Sequence, residues 1–124
     1  MMTTHAKQRI WIVDDDPSVR QALARLLQSH GYTVETFSSG VDISPCPESN
    51  PVDCLLLDVY LPTENGVEIF DRMREAGFSS PVIFITAKST GFLTAKARER
   101  ADLLVKPFDS AAVLAAVAQA ASAP

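Results

Sequence analysis

Apolar residues in this chain follow two alternating patterns: short runs rich in β-formers, and longer stretches where apolar positions recur every three or four residues. Arg9 to Val13 is a β-rich run, Thr33 to Phe37 alternates around Val34, and Cys54 to Leu57 is apolar without alternation. Val82 to Ile85 is a fourth such run and Leu103 to Val105 a fifth. Unbroken apolar runs suit strands covered on both faces of a parallel sheet. Between the runs lie helical patterns. Asp16-Pro17 reads as an N-cap and first turn, followed by Val19, Leu23, Leu26 and Leu27 at helical spacing and closed by Gly31. Asn65 opens a stretch carrying Val67, Ile69, Phe70 and Met73, which Gly77 ends. Ser89 or Thr90 begins a segment through Arg100, and an Ala-rich helix with Val113, Leu114 and Val117 follows Asp109. Phe92 and Leu93 read, like Val113, Leu114 and Val117, as core or helix-packing residues. From Ser38 to Val52 the chain holds Pro45, Pro47 and Pro51 with Gly40, so at most a short turn of helix is expected there.

Strands that each lead into a helical or turn connection imply parallel pairing with right-handed crossovers. At 124 residues the expected architecture is an α/β, flavodoxin-like doubly wound (βα)5 sandwich with strand order 2-1-3-4-5. Its second and fourth helices are expected to be short or irregular. The expected unit is one domain over 1–124, with a flexible end at 1–7 and no output domain following. In such a sheet, ligands bind beyond the carboxyl ends of the strands, at the switch point between strands 1 and 3. That order places Asp14 and Asp15 beside Asp58, with Thr86 and Lys106 following along the same edge.

A hydrophobic content of 47% and a charged content of 21% are those of a globular protein. The formal charge of −4 and the lack of a Lys/Arg stripe argue against direct nucleic-acid binding by this domain. Cys46 and Cys54 have no Cys/His cluster around them, which argues against zinc and suits a reducing compartment. With neither a signal-peptide core nor an apolar run of spanning length, the expected location is the cytoplasm, away from membrane.

Alone, Asp58 could simply begin a turn. Together, Asp14, Asp15 and Asp58 would repel one another and stay ionised only beside a cation. Hard oxygen ligands at that density suit Mg²⁺, with Mn²⁺ or Ca²⁺ as substitutes. A carboxylate nucleophile, a divalent ion, the Lys106 ammonium and the Thr86 hydroxyl are the parts needed to accept a phosphoryl group. Asp16 reads as a helix cap, His5 and His30 as non-catalytic, and Lys88 with Arg98-Glu99-Arg100 as solvated surface.

Four tags carry a resemblance: Ile-Val-Asp-Asp-Asp-Pro at 12–17, Leu-Leu-Asp-Val-Tyr-Leu-Pro at 56–62 with Gly66, Ile-Thr-Ala at 85–87 and Lys-Pro-Phe at 106–108. Nearly the whole chain resembles the receiver domain of two-component response regulators. The resemblance implies a signalling phospho-acceptor rather than an enzyme, with Asp58 modified by a sensor histidine kinase or phosphotransfer protein. It implies Mg²⁺ ligation by Asp15 and Asp58, by Asp14 largely through water, and by the Tyr60 backbone carbonyl. Lys106 would contact the phosphoryl group, having first paired with Asp58, and Thr86 would hydrogen-bond a phosphoryl oxygen. A cis Lys106-Pro107 bond, a switch controlling transcription through another domain, and homodimer formation on phosphorylation are further implications.

Some positions depart from the family pattern. Leu103 stands where an aromatic residue often rotates inward, so that readout is lost. The interval from Thr86 to Lys106 is short, which should shorten or unravel the fourth helix and alter the dimer face. Tyr60 and Lys88 flank the entrance for attacking water and are expected to slow dephosphorylation. Two competing readings are a haloacid-dehalogenase-type phosphatase and a flavodoxin-like interaction module without phosphotransfer. The first needs a second Asp two residues after Asp58, where this chain has Tyr60. The second would be marked by a missing acceptor or lysine, and both are present.

Overall fold

The computed structural model describes residues 8–40, 43 and 52–122. The elements are β1 (Arg9–Val13), α1 (Pro17–Gln28), β2 (Thr33–Phe37), β3 (Cys54–Asp58), α2 (Gly66–Glu75), β4 (Val82–Thr86), α3 (Phe92–Arg100), β5 (Asp102–Val105) and α4 (Ser110–Ala121). The end at 1–7, Cys46 and the three prolines of the expected weak second helix lie outside the described residues.

All strand pairs are parallel, and the five strands stand in the order β2-β1-β3-β4-β5. The unbroken apolar runs occupy the middle of the sheet because both of their faces are covered. Trp11, Val13, Leu55, Leu57 and Phe84 pack on the side of Ile69, Phe70 and Met73 from α2. Ile10, Ile12, Leu56, Ile83 and Ile85 face Leu23 and Leu27 of α1 and Val113 and Val117 of α4. The sheet register then sets the functional edge. Val13 pairs with Leu57, Asp58 with Ile85, and Thr86 with Val105. The residues that close these strands, Asp14, Asp58, Thr86 and Lys106, therefore emerge side by side.

Three helices begin as the sequence signals require: the side chains of Asp16, Asn65 and Asp109 accept from the backbone N–H of Ser18, Glu68 and Ala112. A cap of this kind is worth about 1 kcal/mol. α3 differs. It starts at Phe92 rather than at Ser89 or Thr90, after Gly91 at φ +124° and with no side-chain cap. At 9 residues this helix is short, as expected, but it is not unravelled.

Two expectations, one of a core residue and one of a solvated residue, fail on the same helix. Phe92 is 74% exposed and belongs to no core; the Lys96 ammonium lies 5.0 Å from its ring centre. The late start of α3 turns this first residue outward, while Leu93 packs on the core. Arg100 is half-buried rather than solvated, donating to both carboxylate oxygens of Asp71 at 2.8 and 3.0 Å. That bidentate pair ties α3 to α2. Spacing within one helix carries no signal for a partner on another.

Candidate functional site

The acidic crevice is built from two strand ends, those of β1 and β3. Asp14 is fully buried and Asp58 nearly so, while Asp15 is exposed. One carboxylate oxygen from each lies within 4.8 Å of the other two. The side chains are held in place by the backbone around them. Asp14 Oδ1 accepts from the Asp16 N–H at 2.9 Å, and Asp58 Oδ1 accepts from the Tyr60 N–H at 3.0 Å. Arg20 from α1 donates to the Asp14 carbonyl at 2.7 Å, bracing the loop from behind.

Lys106, joined to Pro107 by a cis bond, reaches across from the end of β5. Its Nζ is 3.2 Å from Asp58 Oδ2 and 2.8 Å from Asp14 Oδ2. The Asp14 contact is ionic but too oblique for a directed hydrogen bond, so Asp14 Oδ2 is a buried carboxylate oxygen without one. Burial works against the ammonium's charge, yet Asp14 and Asp58 outweigh it and raise the lysine's pKa. For Asp58 the balance goes the other way. Desolvation and the neighbouring Asp14 charge push its pKa up to about 6, against the opposing pull of the Tyr60 N–H and Lys106. The ammonium thus does not offset the burial of Asp58 beside Asp14.

Thr86 is fully buried at the end of β4, and its carbonyl accepts from the Lys106 N–H at 2.7 Å. Its hydroxyl accepts from the Lys88 N–H at 3.0 Å. The O–H proton is therefore still available for donation. Gly66 closes the loop after β3 by donating to the Val59 carbonyl at 2.8 Å. A Cβ there would collide with the Asp58 carbonyl, so a glycine is required.

Sequence patterns had not singled out Arg20 or Thr94. Thr94, on α3, is 1% exposed and bonds the Tyr60 hydroxyl at 3.1 Å. Arg20 reaches back only six residues, but to a backbone carbonyl that no side-chain pattern marks, whereas Thr94 meets a tyrosine 34 residues away. Lys88 is exposed, but its ammonium lies 4.7 Å from the Tyr60 ring centre rather than free in solvent. Cys54 is buried in β3, where desolvation pushes its thiol up to about 12 and keeps it protonated. It is a packing residue.

A family model described as the response regulator receiver domain matches residues 10–118. This chain belongs to that family. Among curated relatives of this receiver domain, the transcriptional regulatory protein DltR of Streptococcus agalactiae is 33% identical over 111 residues, covering 88% of this chain and 50% of that protein. A response regulator receiver protein of Burkholderia phymatum is 36% identical, with a TM-score of 0.78 and coverage of 95% of this chain and 98% of that one. TrrA of Thermotoga maritima, whose structure is a complex with Mg(2+)-BeF, is 27% identical, with a TM-score of 0.78 and coverage of 90% and 97%. The chain spans about half the length of the curated relatives it matches. As a receiver domain it belongs to a family of signalling regulators that work with histidine kinases or phosphotransfer proteins. Its acidic crevice fits the divalent cation such domains bind: a buried Asp14 oxygen lacks a directed donor, and Asp58 ionises with difficulty without more positive charge. Among the described residues no helix is long and apolar enough to cross a membrane.

Proposed function

We propose that this receiver domain accepts a phosphoryl group on Asp58 from a phosphohistidine of a sensor kinase or phosphotransfer protein. The carrying observation is the contact of one ammonium, Lys106 Nζ, with both Asp14 Oδ2 and Asp58 Oδ2 at the carboxyl edge of the sheet. An Asp58 oxygen attacks phosphorus; the P–N bond breaks, its electron pair returns to the imidazole, and a P–O bond to Asp58 forms. The Tyr60 N–H on Oδ1 leaves Oδ2 as the attacking atom, with Lys106 exchanging its grip on that oxygen for one on the phosphoryl group. The Thr86 hydroxyl, which still has a proton to give, donates to a phosphoryl oxygen. Asp14, Asp15, Asp58 and the Tyr60 carbonyl would hold Mg²⁺, with Mn²⁺ or Ca²⁺ as substitutes. Bound there, the ion supplies the positive charge that disperses charge over the phosphoryl oxygens.

An apolar groove of about 570 Å³ runs from Val19 and Leu23 of α1 to Pro107, Phe108 and Val113, with Lys106 at its edge. That surface supports docking of a protein donor beside the acceptor. The names of the relatives support transcription as the output, exerted by sequence outside the receiver unit of 1–124. A formal charge of −4 fits a domain that does not itself hold DNA, and a cytoplasmic setting fits such a role. Self-association on phosphorylation would use the face of α3, β5 and α4, where β5 is an edge strand and Phe92 stands exposed.

Incubation with Mg²⁺ and acetyl phosphate, followed by intact-mass measurement, tests the reading. One phosphoryl adduct is expected, lost in Asp58→Asn and when the metal is chelated. An unmodified wild-type chain, or an adduct that persists in Asp58→Asn, would overturn it.

A further inference from the structure

The loops after β3 and β4 are joined by hydrogen bonds that converge on Thr94. Thr94 Oγ1 donates to the Lys88 carbonyl at 3.1 Å, and the Tyr60 hydroxyl lies 3.1 Å from the same oxygen. A threonine hydroxyl has a single proton, so with that proton on Lys88 the tyrosine must be the donor in the second bond. Both ends of this pair lead to the proposed phosphorylation site. The Tyr60 N–H is bound to Asp58 Oδ1 at 3.0 Å, and the Lys88 N–H to Thr86 Oγ1 at 3.0 Å.

The connection runs from the Asp58 carboxylate through Tyr60, Thr94 and Lys88 to the Thr86 hydroxyl. Its middle member lies in the first turn of α3. Thr94 is 1% exposed, so its bonds are shielded from competing water and costly to leave unmade. Two further features hold Tyr60 to this route. The Lys88 ammonium caps its ring at 4.7 Å. A Cβ on Gly91 would come within 3.2 Å of the tyrosine hydroxyl, at a backbone φ of +124° that favours glycine.

We propose that Thr94 is a positioning residue through which the state of Asp58 is passed to α3. It holds the loops after β3 and β4 in one arrangement while Asp58 is unmodified, and yields when either end of the connection changes partner. Placing a phosphoryl group on Asp58 alters the oxygen facing the Tyr60 N–H and draws on the Thr86 hydroxyl, so both ends are disturbed by one event. This coupling does without an aromatic side chain at Leu103. It rests on phosphorylation of Asp58, and it needs a two-state loop whose balance both ends bias.

The test is amide hydrogen exchange across 88–95 in the full chain, with and without Mg²⁺ and acetyl phosphate, while intact mass reports the adduct separately. Thr94→Val keeps the shape and removes the hydroxyl; Thr94→Ser keeps the hydroxyl. In unmodified protein, Thr94→Val should speed exchange in 88–95 by about tenfold, the response to one or two lost hydrogen bonds. Tyr60→Phe should do the same in the unmodified state, and the double variant no more than either. In the wild type, phosphorylation should speed the same segment several-fold. Thr94→Val should still form its adduct but show no further change, and Thr94→Ser should restore the wild-type response. A wild-type adduct without a change in 88–95, a Thr94→Val response equal to wild type, or a failed serine rescue would each overturn the role of Thr94 alone. A wild-type chain that forms no adduct would overturn the phosphorylation reading and this coupling with it.

Discussion

At the scale of single residues, the site is governed by a shortage of positive charge. Burial and Asp14 raise the Asp58 pKa to about 6, above the ordinary carboxylate value, so the folded chain holds this proton more tightly than the unfolded chain does. The resulting cost to stability is absent below the ordinary carboxylate range. It grows as pH rises through that range and is complete above the folded pKa. Asp58→Asn removes it, so with chelator present the variant should be more stable at pH 8 by on the order of 1 kcal/mol, after allowance for solvent screening. At pH 4 it should show little gain; denaturant titration at the two pH values checks this. The Lys88 ammonium over the Tyr60 ring gives these two residues a joint position beside Asp58. Tyr60→Ala and Lys88→Ala should each lose phosphate several-fold faster than wild type in a mass-followed decay. Slower loss in the variants would reject a shielding role.

At the scale of elements, precision comes from short loops between strong strands and helices. The loop after β3 is closed by Gly66, whose missing Cβ makes room for the Asp58 carbonyl. Gly66→Ala must push this backbone aside and should cost about 1–3 kcal/mol, as overpacking typically does. Thermal unfolding checks the stability, and the Asp58 adduct yield should fall with it. α3 illustrates the opposite case, an element whose limits are set by its neighbours. Helical propensity allowed a start at Ser89 or Thr90, but the bonds from Thr94 to Lys88 and Tyr60 engage the preceding residues, and the helix begins at Phe92. The Arg100 pair with Asp71 then anchors the other end of α3 to α2.

At the scale of the whole molecule, the proposed metal and partner would act on an edge that the sheet presents ready-made. A cation that binds only the folded crevice should stabilise the domain, by about 2.7 kcal/mol at a hundredfold excess over Kd. A rise in Tm with Mg²⁺ that disappears in Asp14→Ala is the expected result. The groove between α1 and Phe108 makes a separate claim. Phe108→Ala should slow transfer from a protein phosphodonor at least several-fold while leaving modification by acetyl phosphate near wild-type rates. Equal slowing with both donors would point to damage at Lys106 rather than to lost docking.

Much of this was legible from the chain alone because parallel sheets leave strong local marks. Unbroken apolar runs such as Cys54–Leu57 must be covered on both faces, and acids or a lysine following such runs must sit at one edge once the strand order is set. The sequence therefore determined the strands, their order, the helix caps at Asp16, Asn65 and Asp109, and the gathering of Asp14, Asp15, Asp58, Thr86 and Lys106 at one edge of the sheet. Only the tertiary structure decided the late start of α3, the exposure of Phe92, the Arg100 bond to Asp71, and the place of Thr94 between Tyr60 and Lys88. These depend on which side chains meet across elements far apart in sequence. Hydrophobic period and local propensity describe one segment at a time, whereas a hydrogen bond between Tyr60 and Thr94 exists only after two loops have been brought to the same edge of the sheet.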